Sequence, residues 1–153
     1  MVEKILVPLD GSKVGEAALN AVTNIISKFS PDIKVEVMLL QVLTSLSHYV
    51  IAGEASVQVL YTDTEMKQIQ KEVTDYLTMA GAELQKKGVD VKIKIATGNA
   101  AEEIIKAADE MNANLIAMST HGRSGISRWA LGSVADRVVR VSSRPVLIIR
   151  AVK

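Results

Sequence analysis

A chain of 153 residues, 48% of them apolar, fits one globular domain able to bury a substantial core. Its 18 basic and 17 acidic side chains nearly cancel, which argues against a general nucleic-acid or acidic-membrane binder. Cysteine is absent, so disulfides, thiolate metal sites and cysteine nucleophiles are excluded, and 3% aromatic residues leave little for stacking several nucleic-acid bases.

No apolar run approaches the ~18 residues of a spanning helix. The opening "MVEKILVPLDG" reaches Asp10 and Gly11 too early for a secretory signal. The expectation is a single soluble, cytoplasmic domain over residues 1–153, with neither nucleic acid nor membrane as partner.

Strand and helix patterns alternate along the chain. "KILVPL" (4–9) is a short apolar run ended by Pro8, as in a buried strand. Val14, Ala18, Ala21, Val22, Ile25 and Phe29 then follow helical spacing, with Ser12 as N-cap and Pro31 closing the segment. "IKVEVMLLQVL" (33–43) passes from alternation into a continuous apolar run, a strand entering a covered sheet. Residues 44–64 show no clear period and read as a long mobile excursion or a short extra helix.

From Met66, the positions Ile69, Val73, Leu77, Ala80 and Leu84 form a helical stripe that Gly88 ends. "VDVKIKI" (89–95) alternates, as a strand near a sheet edge does. Asn99 and Glu102 have capping-box spacing before a helix through Ile104, Ile105, Ala108 and Met111. "NLIAMS" (114–119) is a buried strand, Val134, Val138 and Val141 mark a last helix, and "RPVLIIR" (144–150) is the last strand. The order β-α-β-α-β-α-β-α-β predicts an α/β fold, a parallel sheet with helices on its faces.

Between the fourth strand and the last helix lies "STHGRSGISRWALGS" (119–133), with three glycines and four serines. Gly122, Gly125 and Gly132 permit close approach to the backbone, and successive N–H groups in such a loop can form an anion nest. The following helix offers unpaired N–H groups, with Ser133 as expected N-cap and Asp136 as its capping partner. Arg123, Arg128, Ser124 and Ser127 add donors. This is phosphate-binding chemistry, although a turn-rich loop capped by serine would carry the same residues. If the strand order is 3-2-1-4-5, the loop faces Asp10 across the point where strand order reverses, where ligands bind in such sheets. Neither GxxxxGK[ST] nor GxGxxG is present.

"KILVPLDGS", "MLLQV", "GNAAEEIIKAA", "MSTHGRSGISRWALGSVADRVVR" and "RPVLIIR" together resemble the universal stress protein family over nearly the whole chain. The resemblance implies a Rossmann-like three-layer sandwich of the adenine nucleotide alpha hydrolase-like type, with five parallel strands in the order 3-2-1-4-5. The family's ATP-binding branch carries G-x2-G-x9-G-[ST]. This chain keeps Gly122-x2-Gly125 and Gly132-Ser133, with six residues between Gly125 and Gly132.

By motif position, Asp10 and the Pro8–Leu9 backbone would meet the nucleoside, and the main chain of Val42 the adenine. Gly122, Arg123, Gly125, Gly132, Ser133 and Val134 would surround ribose and phosphates. Met118 joins this set, though a buried strand end explains it equally. Asp10 could equally begin a turn or cap the first helix, and Val42 could be plain core. Gly98 and Asn99 border the same region, and capping alone accounts for Asn99. His121 has no adjacent acid or nucleophile, His48 has less support still, and Trp129 reads as packing the loop.

The leading expectation is an ATP-binding stress-response regulator or interaction module, with Mg²⁺ or Mn²⁺ held through the phosphates. Its alternatives are a slow ATPase or phosphotransfer enzyme on the same scaffold, and a family member that only dimerises. No base, nucleophile, metal cluster or G-x-S-x-G elbow is visible, so no catalytic residue is expected. The apolar last strand, at a sheet edge in the inferred order, suggests a homodimer formed through Val146 to Val152, which the resemblance also implies.

Overall fold

The computed structural model describes residues 1–120 and 131–151. Its central sheet contains β1 (Val2–Pro8), β2 (Lys34–Leu43), β5 (Asp90–Thr97), β6 (Leu115–Thr120) and β7 (Val146–Arg150). All neighbours are parallel, in the order β5-β2-β1-β6-β7. This is the expected 3-2-1-4-5 arrangement with two further strands counted along the chain. The helices are α1 (Lys13–Ile26), α2 (Asp63–Lys86), α3 (Ala100–Glu110) and α4 (Ser133–Val141).

The continuous apolar reading of β1 has a direct cause: both of its faces are covered. Ile5 and Val7 point into a cluster with Ala18, Leu19 and Val22 of α1 and Val73, Leu77 and Leu84 of α2. Leu6, between them, enters a second cluster with Ile104 and Ala108 of α3 and Ala135 and Val138 of α4. The result is a three-layer sandwich. Pro8 is the last residue of β1, where its missing N–H costs the ladder nothing further, and Leu9 N–H continues to Leu40 O at 2.8 Å.

The excursion after β2 is neither irregular nor helical. It folds into an antiparallel hairpin, β3 (Ser47–Ala52) and β4 (Ala55–Leu60), which forms a separate two-stranded sheet. Gly53, at φ +66°, begins its two-residue turn. The strand signal lay in β-branched composition (Val50, Ile51, Val57, Val59) and not in alternating burial, because every residue of β4 is exposed. The next helix begins earlier than its apolar stripe suggested. Thr62 N–H donates to Glu65 Oε2 at 2.7 Å and Glu65 N–H to Thr62 Oγ1 at 3.2 Å, a complete capping box. Those Thr62 donors hold the Glu65 carboxyl below its ordinary pKa.

At mid-helix, Gly81 lets α2 sit close on the sheet. A Cβ there would lie 2.8 Å from Val91 Cγ1 and 3.1 Å from Leu39 Cδ1. Alanine would gain about 1 kcal/mol of helix propensity, whereas overpacking typically costs about 1–3 kcal/mol. Neither the β-branched Val91 nor the fully buried Leu39 can yield cheaply. Gly81→Ala is therefore expected to lower stability by about 1 kcal/mol, read as a lower urea midpoint at unchanged m-value.

Candidate functional site

At the carboxyl ends of the strands, a cleft of about 700 Å³ opens between β1 and β6, the position where strand order reverses. Of the residues assigned from sequence, Pro8, Leu9, Asp10, Val42, Met118, Gly132, Ser133 and Val134 all line it. Gly122, Arg123 and Gly125 lie outside the described residues, as do His121 and Trp129.

Asp10 leaves β1 into a tight turn. Its Oδ1 accepts from Ser12 N–H at 2.9 Å and from Ser12 Oγ at 2.5 Å, while Gly11 takes φ +83°. Ser12 Oγ accepts in turn from Gly15 N–H at 3.1 Å and so caps α1, as its position in the sequence suggested. Asp10 thus does begin a turn, and it also borders the cleft. Gly15 packs close to this turn: a Cβ on it would sit 2.9 Å from Asp10 Oδ1, so the carboxylate would have to shift. On the opposite wall, Ser119 Oγ donates to Gly15 O at 3.2 Å, tying the end of β6 to the start of α1.

Behind the turn, α2 contributes Tyr76. Burial pushes its hydroxyl pKa up to about 12, helped by the charges of Glu16 and Asp10, so it stays protonated at neutral pH.

The start of α4 differs from the sequence expectation. Gly132, not Ser133, is the N-cap, and Ser133 is the first helical residue. Glycine has no side chain to give, and no side-chain cap bond is made. Asp136 does not close a capping pair. Its N–H donates to Gly132 O at 2.9 Å, and its carboxylate receives Arg140 Nε at 2.9–3.0 Å. The first-turn N–H groups of Ser133, Val134 and Ala135 have no acceptor within their own helix, and all three residues line the cleft. A Cβ on Gly132 would meet nothing within 4 Å among the described residues, and its φ of −59° suits any residue. Packing among those residues therefore does not explain this glycine.

At α3, Asn99 Oδ1 accepts from Glu102 N–H at 3.1 Å, the cap that the sequence suggested. Its neighbour Ala100 lines the cleft, whereas Gly98 and Asn99 do not.

Several wall residues were not singled out from sequence. Gln41 lies between Leu40 and Val42 with its Oε1 buried and without a hydrogen-bond partner among the described residues. Thr120 is buried at the end of β6, and Tyr61 sits where the hairpin rejoins α2. A glutamine in a mostly apolar strand was the one visible signal. Tyr61 gave none, because the hairpin that places it was not recognised. No group of three or more His, Asp or Glu side chains is arranged to hold a metal among the described residues. No helix among them is long and apolar enough to cross a membrane.

The sequence model of the Universal stress protein family matches residues 1–150. Universal stress protein MJ0577 of Methanocaldococcus jannaschii is 31% identical over 160 residues, covering 98% of this chain and 96% of that protein. Its solved structure superposes with a TM-score of 0.67 at 25% identity, covering 99% and 97% of the two chains. A universal stress protein solved in complex with cAMP shares the fold at TM-score 0.63 and 21% identity, with 98% of each chain covered. An Arabidopsis thaliana family protein with AMP bound does so at TM-score 0.64 and 15% identity, covering 98% and 92%. From the first strand to the last, this chain belongs to the universal stress protein family.

Proposed function

We propose that this protein binds ATP in the cleft and acts as a nucleotide-dependent stress-response regulator or interaction module. The observation that carries this reading is the pairing, in one cleft, of an α4 start without a side-chain cap and the fixed Asp10 turn. A helix start of that kind attracts phosphate oxygens, while a carboxylate opposite it suits sugar hydroxyls as hydrogen-bond donors. The apolar wall of Leu40, Val42 and Leu43, at the β2 exit, suits the base beyond the sugar. That structural neighbours carry cAMP and AMP supports a nucleotide in this fold.

The glycine motif also fits better when counted from a different residue. Nine residues separate Gly122 from Gly132, and Ser119 stands three positions before Gly122. The interval x9-G-[ST] is then intact, with Ser119 in place of the first glycine. Ser119 lines the cleft. Mg²⁺ or Mn²⁺ would be held mainly through the phosphates.

Calorimetry of the full chain should show ATP binding in the presence of magnesium or manganese. Gly132→Val should weaken it by at least about tenfold, roughly 1.4 kcal/mol, with little change in melting temperature. No ATP binding by the wild type would reject the function, and an unchanged Gly132→Val would reject the phosphate assignment alone.

Hydrolysis is expected to be slow, because a cradle of N–H groups holds phosphate without positioning a water for attack. Turnover should lie well below ~1 per second, the low end for ordinary enzymes. A faster rate that Asp10→Ala abolishes would favour the ATPase reading.

The two edges of the sheet differ in a way that supports a homodimer. On β5, Lys92 and Lys94 pair with Glu36 and Glu110 and keep that edge charged. On β7, Val146 to Ile149 carry no charge and are only partly buried in the single chain. A two-fold mate pairing β7 with its own copy would cover them. Val152, at the far end of the proposed contact, lies outside the described residues. Sedimentation at micromolar concentration should show a dimer for the wild type and a monomer for Ile149→Lys. A variant that stays dimeric would move the interface elsewhere.

A further inference from the structure

The excursion between β2 and α2 does more than lengthen the chain. Its hairpin closes where Tyr61 N–H donates to Leu46 O at 2.9 Å, one step beyond the Ser47–Leu60 pair that ends the ladder. Immediately after Tyr61 comes the Thr62–Glu65 capping box. The Tyr61 backbone is thus fixed from both sides.

Its ring stacks on that of His48, with centroids 4.7 Å apart and planes inclined by 29°. His48 Nδ1 is buried without a hydrogen-bond partner among the described residues, so on that side ring packing and not a polar bond holds the imidazole. Tyr61 is the one aromatic residue among the described lining of the cleft. It stands at the end of the cleft formed by the β2 exit, with Val42, Thr44 and Ser45. In the sheet, β1 separates β2 from β6, the strand that precedes α4.

We propose that Tyr61, backed by His48, is the platform on which the base of the bound nucleotide stacks. The proposal rests on the nucleotide reading above and adds the residue that grips the base. A flat π-face held in place before binding loses little freedom on contact, and base–aromatic stacking is among the stronger sequence-tolerant contacts a protein makes to a nucleotide. Tyr61 has two neighbours that order it, His48 from the hairpin and the capping box that opens α2. The hairpin thus has a local role at the site: it positions the platform.

The test compares ATP with inorganic tripolyphosphate, which has no base, by calorimetry on the full chain. Tyr61→Leu should weaken ATP binding roughly 5- to 100-fold and leave tripolyphosphate binding unchanged. Tyr61→Phe, which keeps the ring, should stay within about twofold of wild type for both. Loss of the ring partner in His48→Leu should weaken ATP selectively, by less than Tyr61→Leu. Equal weakening of both ligands by Tyr61→Leu would mark a structural role and overturn the proposal. A wild type that binds ATP beside an unaffected Tyr61→Leu would overturn the platform and leave the nucleotide reading standing. A wild type that binds no nucleotide would overturn both.

Discussion

Everything in this molecule hangs on the burial of one short strand from both sides. Ile5, Leu6 and Val7 are 0–2% exposed, and their alternating side chains seed the two cores. A strand covered on both faces must sit at the centre of a sheet whose crossover helices divide between the faces. Two helix pairs do so here. Because β1 is central, its exit and that of β6 lie side by side with helices leaving in opposite directions, and a crevice between them follows from the topology. The cleft is a product of the core.

The polar contacts at the mouth convert that crevice into a shaped site. Asp10, Ser12, Gly15 and Ser119 form a chain of hydrogen bonds across the β1 exit, the α1 start and the β6 exit. Each link uses a small residue. A side chain at Gly15 would press on the Asp10 carboxylate and displace it. The start of α4 follows the opposite plan, with its cap supplied by no side chain. One wall of the cleft is therefore tied together by side-chain hydrogen bonds, whereas the α4 start makes no side-chain cap bond. That contrast, more than any single residue, is what a phosphate-bearing ligand would read.

Much of this was legible in the sequence, for physical reasons that differ from element to element. The central strands announce themselves because two-sided burial demands uninterrupted apolar runs, and α1 and α3 because Ser12 and Asn99 precede regular stripes. Asp10 and Gly132 were legible because turn chemistry and a glycine-rich approach to a helix have few uses at a strand exit. The hairpin was not, since sequence patterns report burial and its strands are largely exposed. With it went Tyr61, whose place in the cleft depends on the six residue pairs of that hairpin. The sequence points to Ser133 as the cap because serine is the better capping residue, but the helix begins one residue earlier, with Gly132 at the cap.

The hairpin shares no strand pairing with the central sheet, and beyond its ladder the bond from Tyr61 N–H to Leu46 O keeps its two ends together. It is in effect a detachable attachment on an otherwise fixed frame. The chain leaves β2 and returns to α2 at nearly the same point in space, so the inserted stretch can grow, shrink or change its face without moving Asp10 or Gly132. Variation there would alter how one end of the cleft is furnished while the opposite end kept its form.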